Sequence, residues 1–215
     1  MPGSSAVLEF FARKGFHTIL PRYRGTWESG GTFLKHEPTD DLDEVLNALP
    51  EPLLSMYEGK KYMLPQKGGI YLFVGSFGGP AGMFLSKDPR VTRVFAHSSV
   101  VDWRIPMKKE PVKGFSQMIK WFYGEGYRID PRGEQKLLSG TFYNPATAPY
   151  EIEPNKVHLF HAKDDEIVPY DSVARFAKHT GIMLTSFARG GHGGTSSFMD
   201  THVWKHVMKE VMKQK

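Results

Sequence analysis

Three features of these 215 residues predict an α/β fold, a mostly parallel sheet with helices on both faces. Short apolar runs of strand length alternate with amphipathic runs of helix length. The apolar run 70–74 stops on Gly75-Ser76-Phe77-Gly78-Gly79, the composition of a sharp strand-to-helix turn. Two later apolar runs, 157–161 and 182–187, each lead into a polar or glycine-rich loop.

The elements follow in chain order. Ser4 or Ser5 caps a helix over residues 6–14, which Gly15 ends. Residues 16–20 read as a strand, followed by an arginine-rich turn. Thr39 or Asp40 opens a helix over 41–49, with acidic residues in its first turns as the helix dipole favours. The strand 70–74 comes next, then the helix opened by the serine turn, then a strand near 94–96. Residues 105–155 interrupt the rhythm with an amphipathic run, 115–123, and a proline-rich loop from Tyr143 to Pro149. Of Trp121, Phe122 and Tyr123, about two are expected to pack inward, because aromatics at helical spacing usually build core. The strands 157–161 and 182–187 and a last helix complete the chain. Neither an internal repeat nor a low-complexity tract is present, and the length suits a single domain over 1–215.

A serine exposed at the end of a buried strand is placed to act as a nucleophile. The usual signature is G-x-S-x-G. Here Gly78 supplies the trailing glycine, but Val74 stands where the leading one belongs. Taken alone, 75–79 also fits a plain turn. Its context adds chemistry: Asp164-Asp165-Glu166 follow the strand 157–161, and Gly191-His192-Gly193 follow the strand 182–187. Serine, acid and histidine thus occur in the order of a nucleophile, an orienting carboxylate and a general base, each just past a strand.

These residues resemble those of the α/β-hydrolases, and within them the catalytic domains of the prolyl oligopeptidase and dienelactone hydrolase-like groups. The resemblance is carried by Pro21-Arg22-Tyr23-Arg24-Gly25-Thr26-Trp27-Glu28-Ser29-Gly30-Gly31, the serine turn, the stretch from Ser98 to Arg104, His161 to Pro169, and Gly191-His192-Gly193. It implies a Ser76, Asp165, His192 triad. The acid of the family segment H-G-x-x-D-x-x-V-P falls on Asp165, with Ala162 in place of the glycine and Asp164 as the neighbouring alternative. It also implies an oxyanion hole containing the backbone N–H of Phe77, a lid or cap within 105–155, and a substrate cleft edged by Arg24, Trp27 and Tyr143.

The family's second oxyanion donor follows an earlier strand, in a loop that often begins His-Gly. Met1-Pro2-Gly3-Ser4-Ser5 resembles the rest of that loop, which puts Met1 at the donor position and leaves the sheet without an interior strand. A truncated start and a minimal form of the fold both fit. Strand edges left open in this way favour a homodimer.

Composition narrows the function. No apolar run approaches the length of a bilayer span, and no signal peptide is evident. The absence of cysteine excludes disulfides and thiolate metal sites, in keeping with a cytoplasmic protein. A net charge of +5 raises the question of nucleic acid. The basic residues, Lys108, Lys109 and Lys113 and then Lys205, Lys209, Lys213 and Lys215, form short groups without interleaved aromatics, the pattern of solvated faces. His202 and His206 lie four apart on the last helix, but the glutamate of H-E-x-x-H is missing. No metal, cofactor, nucleic acid or membrane is therefore expected. The expected activity is a serine hydrolase acting on small carboxylic esters. Cleavage of short peptides is the nearer alternative, and a noncatalytic binding protein of the same fold is the more distant one.

Overall fold

Residues 4–65, 68–106 and 114–212 are described in the computed structural model of this chain. The first half contains α1 (Ser4–Arg13), α2 (Pro38–Ala48), a short antiparallel ribbon of β1 (Leu53–Leu54) and β2 (Lys61–Tyr62), then β3 (Ile70–Gly75), α3 (Gly79–Leu85) and β4 (Val91–His97). The second half contains α4 (Phe115–Tyr123), α5 (Pro131–Leu138), β5 (Val157–Ala162), α6 (Tyr170–Thr180), β6 (Met183–Phe187) and α7 (Thr201–Met212).

Strands β3, β4, β5 and β6 pair in that order, all parallel. Successive side chains of a strand point to opposite faces, and the sequence obeys this period closely. Ile70, Leu72 and Val74, with Val94, Ala96, Val157, Leu159 and Leu184, join one core cluster under α2, α3 and α6. Tyr71, Phe73, Phe95, Phe160 and Phe187 join the opposite cluster, closed by α1 and α7. Continuous apolar runs are required because both faces of the sheet are covered. An ion pair between Arg93 of β4 and Glu210 of α7 also crosses the second interface.

The register aligns the carboxyl ends of the strands: Gly75 lies beside His97, His97 beside Phe160, and Ala162 beside Phe187. Every loop bearing a candidate site residue of the triad therefore leaves the sheet at the same end.

Two expectations are corrected. Residues 16–20 are not a strand; the segment runs without a ladder partner, with Ile19 and Leu20 exposed. A strand requires a neighbour to bond to, and β3 is an edge strand with no partner on its outer side among the described residues. On α4, the buried residues are Phe115 and Ile119, one helical turn apart, whereas Trp121, Phe122 and Tyr123 are 62%, 53% and 45% exposed. The inward stripe of this nine-residue helix is completed before the three aromatics are reached.

Helices α4 and α5 belong to the segment between β4 and β5. Backbone bridges from Thr26 to Tyr127 and from Phe33 to Ile129 tie it to the loop preceding α2. Phe33, Leu34, Ala81, Phe115, Ile119, Leu137 and Tyr143 form a third apolar cluster beside the turn that ends β3. Among the described residues no helix is long and apolar enough to cross a membrane. Met1 and the lysines 108, 109, 113, 213 and 215 lie outside the described residues.

Candidate active site

Ser76 sits where β3 breaks into a short 3-10 turn, Ser76–Gly78, that runs directly into α3. Its φ of +49° is in the left-handed region, which costs a non-glycine residue about 1–3 kcal/mol and persists only when the surroundings enforce it. The flanking glycines show the enforcement. A Cβ on Gly75 would lie 2.7 Å from the Gly194 Cα, and one on Gly79 would lie 1.6 Å from the Ser99 hydroxyl. Val74, at the position of the motif's leading glycine, is accommodated by a different glycine. A Cβ on Gly82 of α3 would meet the Val74 methyls at 2.8 and 3.0 Å. The missing small residue of the strand is thus supplied one element later, by the helix that packs on it.

The three chain-order candidates converge. The Ser76 hydroxyl lies 2.9 Å from His192 Nε2, and His192 Nδ1 lies 3.1 and 3.0 Å from the two oxygens of Asp165. Asp165 is completely buried, and its Oδ1 also accepts the N–H groups of Ile167 and Val168, each at 2.9 Å. Burial pushes the Asp165 carboxyl up, but the His192 contact and charge, the Val168 N–H and His161 outweigh it and hold the group below the usual carboxylate range. Asp164 has a different role: its Oδ1 accepts the Gly191 N–H at 2.8 Å, which clamps the histidine loop from outside.

That loop is fitted as tightly as the serine turn. The Gly193 N–H donates to the Ser98 hydroxyl at 3.1 Å. A Cβ on Gly193 would lie 2.3 Å from the Ser197 hydroxyl and 2.7 Å from the His97 ring. His97, at the end of β4, stacks on Phe187, and burial, with His161 and His192 nearby, lowers its pKa to about 4. It is a neutral wall behind the His192 loop. Ser98, at φ +49°, is a second left-handed non-glycine residue at the same end of the sheet.

Phe77 follows Ser76 in the first helical turn, where backbone N–H groups have no intrahelical acceptor. Its ring is held among Tyr23, Phe33, Trp103, Phe115 and Tyr143. The assignment of Tyr143 to a substrate cleft is corrected. It is 1% exposed, and its hydroxyl bonds the Phe77 carbonyl and the Ala81 N–H, so it is consumed beneath the turn. Arg24 is engaged by α2, through ion pairs with Asp41 at 3.0 Å and with Glu44. Trp27 is 44% exposed, under the Arg22 guanidinium and edge-on to Tyr123, with its backbone N–H on the Gly126 carbonyl. Among the described residues no hydrogen bond, ion pair or ring contact joins Arg24 or Trp27 to Ser76 or His192. Met1, the expected second oxyanion donor, lies outside the described residues. Among the described residues no group of three or more potential metal ligands is found, and His202 and His206 remain on α7.

The chain matches no protein-family model and no curated protein by sequence. Solved structures resemble it. An esterase of Pyrococcus furiosus aligns over 98% of this chain and 74% of its own with a TM-score of 0.62 at 20% identity. A monoacylglycerol lipase of Paleococcus ferrophilus aligns over 96% of this chain and 88% of its own with a TM-score of 0.61 at 14% identity. The chain has the α/β-hydrolase fold, with the parallel sheet and flanking helices expected from its sequence.

Proposed function

We propose that this protein is a serine hydrolase that cleaves small carboxylic esters through Ser76, His192 and Asp165. One observation carries the reading: an unbroken relay from the Ser76 hydroxyl through both ring nitrogens of His192 to a buried carboxylate, built on a serine held in left-handed backbone. A noncatalytic fold has no chemical need for all three groups in this order.

In the proposed reaction, His192 Nε2 takes the hydroxyl proton as the Ser76 oxygen attacks the ester carbonyl, and Asp165 holds the Nδ1–H tautomer and offsets the imidazolium charge. The backbone N–H of Phe77 is one donor to the tetrahedral oxyanion. Collapse expels the alcohol with the proton from His192, leaving an acyl group on Ser76. Water, activated by the same imidazole, then releases the acid.

Treatment of the purified protein with a fluorophosphonate, followed by peptide mass mapping, tests the reading. The expected label is on Ser76 and is absent from Ser76→Ala; well-folded protein that takes no label refutes it. A panel of short-chain p-nitrophenyl esters and aminoacyl amides then defines the substrate class, with faster turnover expected on the esters.

A further inference from the structure

The Asp165 carboxylate has a second histidine neighbour that the proposed reaction does not use. His161, at the end of β5, is completely buried, and its Nε2 lies 2.9 Å from the Val168 carbonyl oxygen and 3.3 Å from Asp165 Oδ2. A carbonyl oxygen only accepts, so the shorter contact requires the hydrogen on Nε2. Asp165 Oδ2, 3.3 Å from Nε2, is an electrostatic neighbour of that N–H and not its hydrogen-bond acceptor. Nδ1 is buried without a hydrogen-bond partner, which makes the ring a neutral Nε2–H tautomer. Burial, the leading cause, also holds the His161 pKa below its ordinary value. The groups facing the ring are Asp165 on the adjoining loop, His192 on the loop after β6, His97 on β4 and Tyr170 on α6, whose ring is 6.2 Å away. Asp165 is the anion among them.

Val168 joins the two halves of this arrangement. Its carbonyl accepts from His161, while its N–H donates to Asp165 Oδ1. One ring therefore holds the loop that cradles Oδ1 and sets its N–H dipole beside Oδ2.

We propose that His161 is a positioning residue, a buried neutral ring that holds the Val168 peptide and, through it, keeps the Asp165 carboxylate in the orientation in which it serves His192. The inference rests on the Ser76–His192–Asp165 reading. It adds a fourth side chain that touches no substrate and acts through the acid. Without the ring the N–H dipole beside Oδ2 is lost, so the carboxylate holds the His192 imidazolium more strongly and the free base appears only at higher pH.

Two variants test it. His161→Phe keeps a ring in the space and removes the donor; His161→Gln returns an N–H near the Nε2 position. With a p-nitrophenyl ester, His161→Phe is expected to lower kcat by about twofold to tenfold, the equivalent of one buried hydrogen bond between neutral groups. KM should change by less than about twofold, and the acid limb of kcat/KM should move to higher pH. His161→Gln should recover most of the rate and the position of the limb. An unmoved limb in His161→Phe, or a Gln variant no better than Phe, overturns the proposal.

A measurement independent of turnover guards against variants that fail to fold. In Ser76→Ala protein carrying ¹⁵N-histidine, the ring shifts of His161 should report a protonated Nε2 and a bare Nδ1 from about pH 5 to 9. The other tautomer, or an imidazolium near neutrality, also overturns the proposal. A wild-type protein that neither takes the fluorophosphonate nor hydrolyses esters refutes the hydrolase reading instead, and the ring shifts then still decide how His161 meets Asp165.

Discussion

The Tyr143 hydroxyl donates to the Phe77 carbonyl at 2.8 Å and accepts the Ala81 N–H at 3.1 Å, so one side chain from the segment between β4 and β5 braces both the serine turn and the start of α3. Its ring contacts Phe77, Phe84 and Trp103, and burial raises its phenol pKa well above the ordinary value. Tyr143→Phe keeps the packing and leaves two buried backbone groups without this partner. The expected cost is about 1–3 kcal/mol in urea unfolding, with slower fluorophosphonate labelling of Ser76.

Gly82 and Val74 should behave as a coupled pair. Alanine in place of a helical glycine ordinarily stabilises by about 0.5–1 kcal/mol. Gly82→Ala is expected to do the reverse here and destabilise by about 1–3 kcal/mol, because its methyl meets Val74 and Val94. In a Val74→Ala background the penalty should shrink, and equal penalties in the two backgrounds would refute the coupling.

Asp165 and Asp164 should separate cleanly in activity. Asp165→Asn puts an amide where a carboxylate must accept from His192 Nδ1, and a loss of about 10⁴ in kcat is expected. Asp164→Asn retains an oxygen for the Gly191 N–H and should cost less than about tenfold. The esterase assay on the two purified variants checks this.

The buried histidine wall sets an acid limit on stability. His97 has an ordinary pKa of 6.5 unfolded and about 4 folded, so the unfolded chain binds the proton first. The stability it supports is complete above 6.5 and is lost as pH falls towards 4, by about 3 kcal/mol at most. Asp165, held below its usual range, contributes above the unfolded carboxylate pKa and is lost at still lower pH. Urea midpoints followed from neutral pH to pH 4 should fall for the wild type and fall less for His97→Phe.

Much of this architecture was legible in the residues because it depends on local periodicity. The alternation Ile70, Leu72, Val74 against Tyr71, Phe73 assigns each side chain to its face, and the three strand ends place Ser76, Asp165 and His192 together. Features that depend on distant partners were not legible. Residues 16–20 have strand composition but no strand bonded to them. Tyr143 reads as a loop aromatic, and only its position under Phe77 makes it a brace. Val74 weakens the serine motif taken alone, since the compensating Gly82 lies eight residues away on the next helix. Ser98 has no sequence signal for its positive φ, and His161 reads only as the last residue of a buried strand.

The outer side of β3 has a practical consequence. Ile70–Gly75 contains neither a proline nor a charged residue, and among the described residues its outer backbone faces no ladder partner. Such a strand is a template for any extended polypeptide, whatever its sequence. The strand that ends at Ser76 is therefore also the edge to which an added strand would bond.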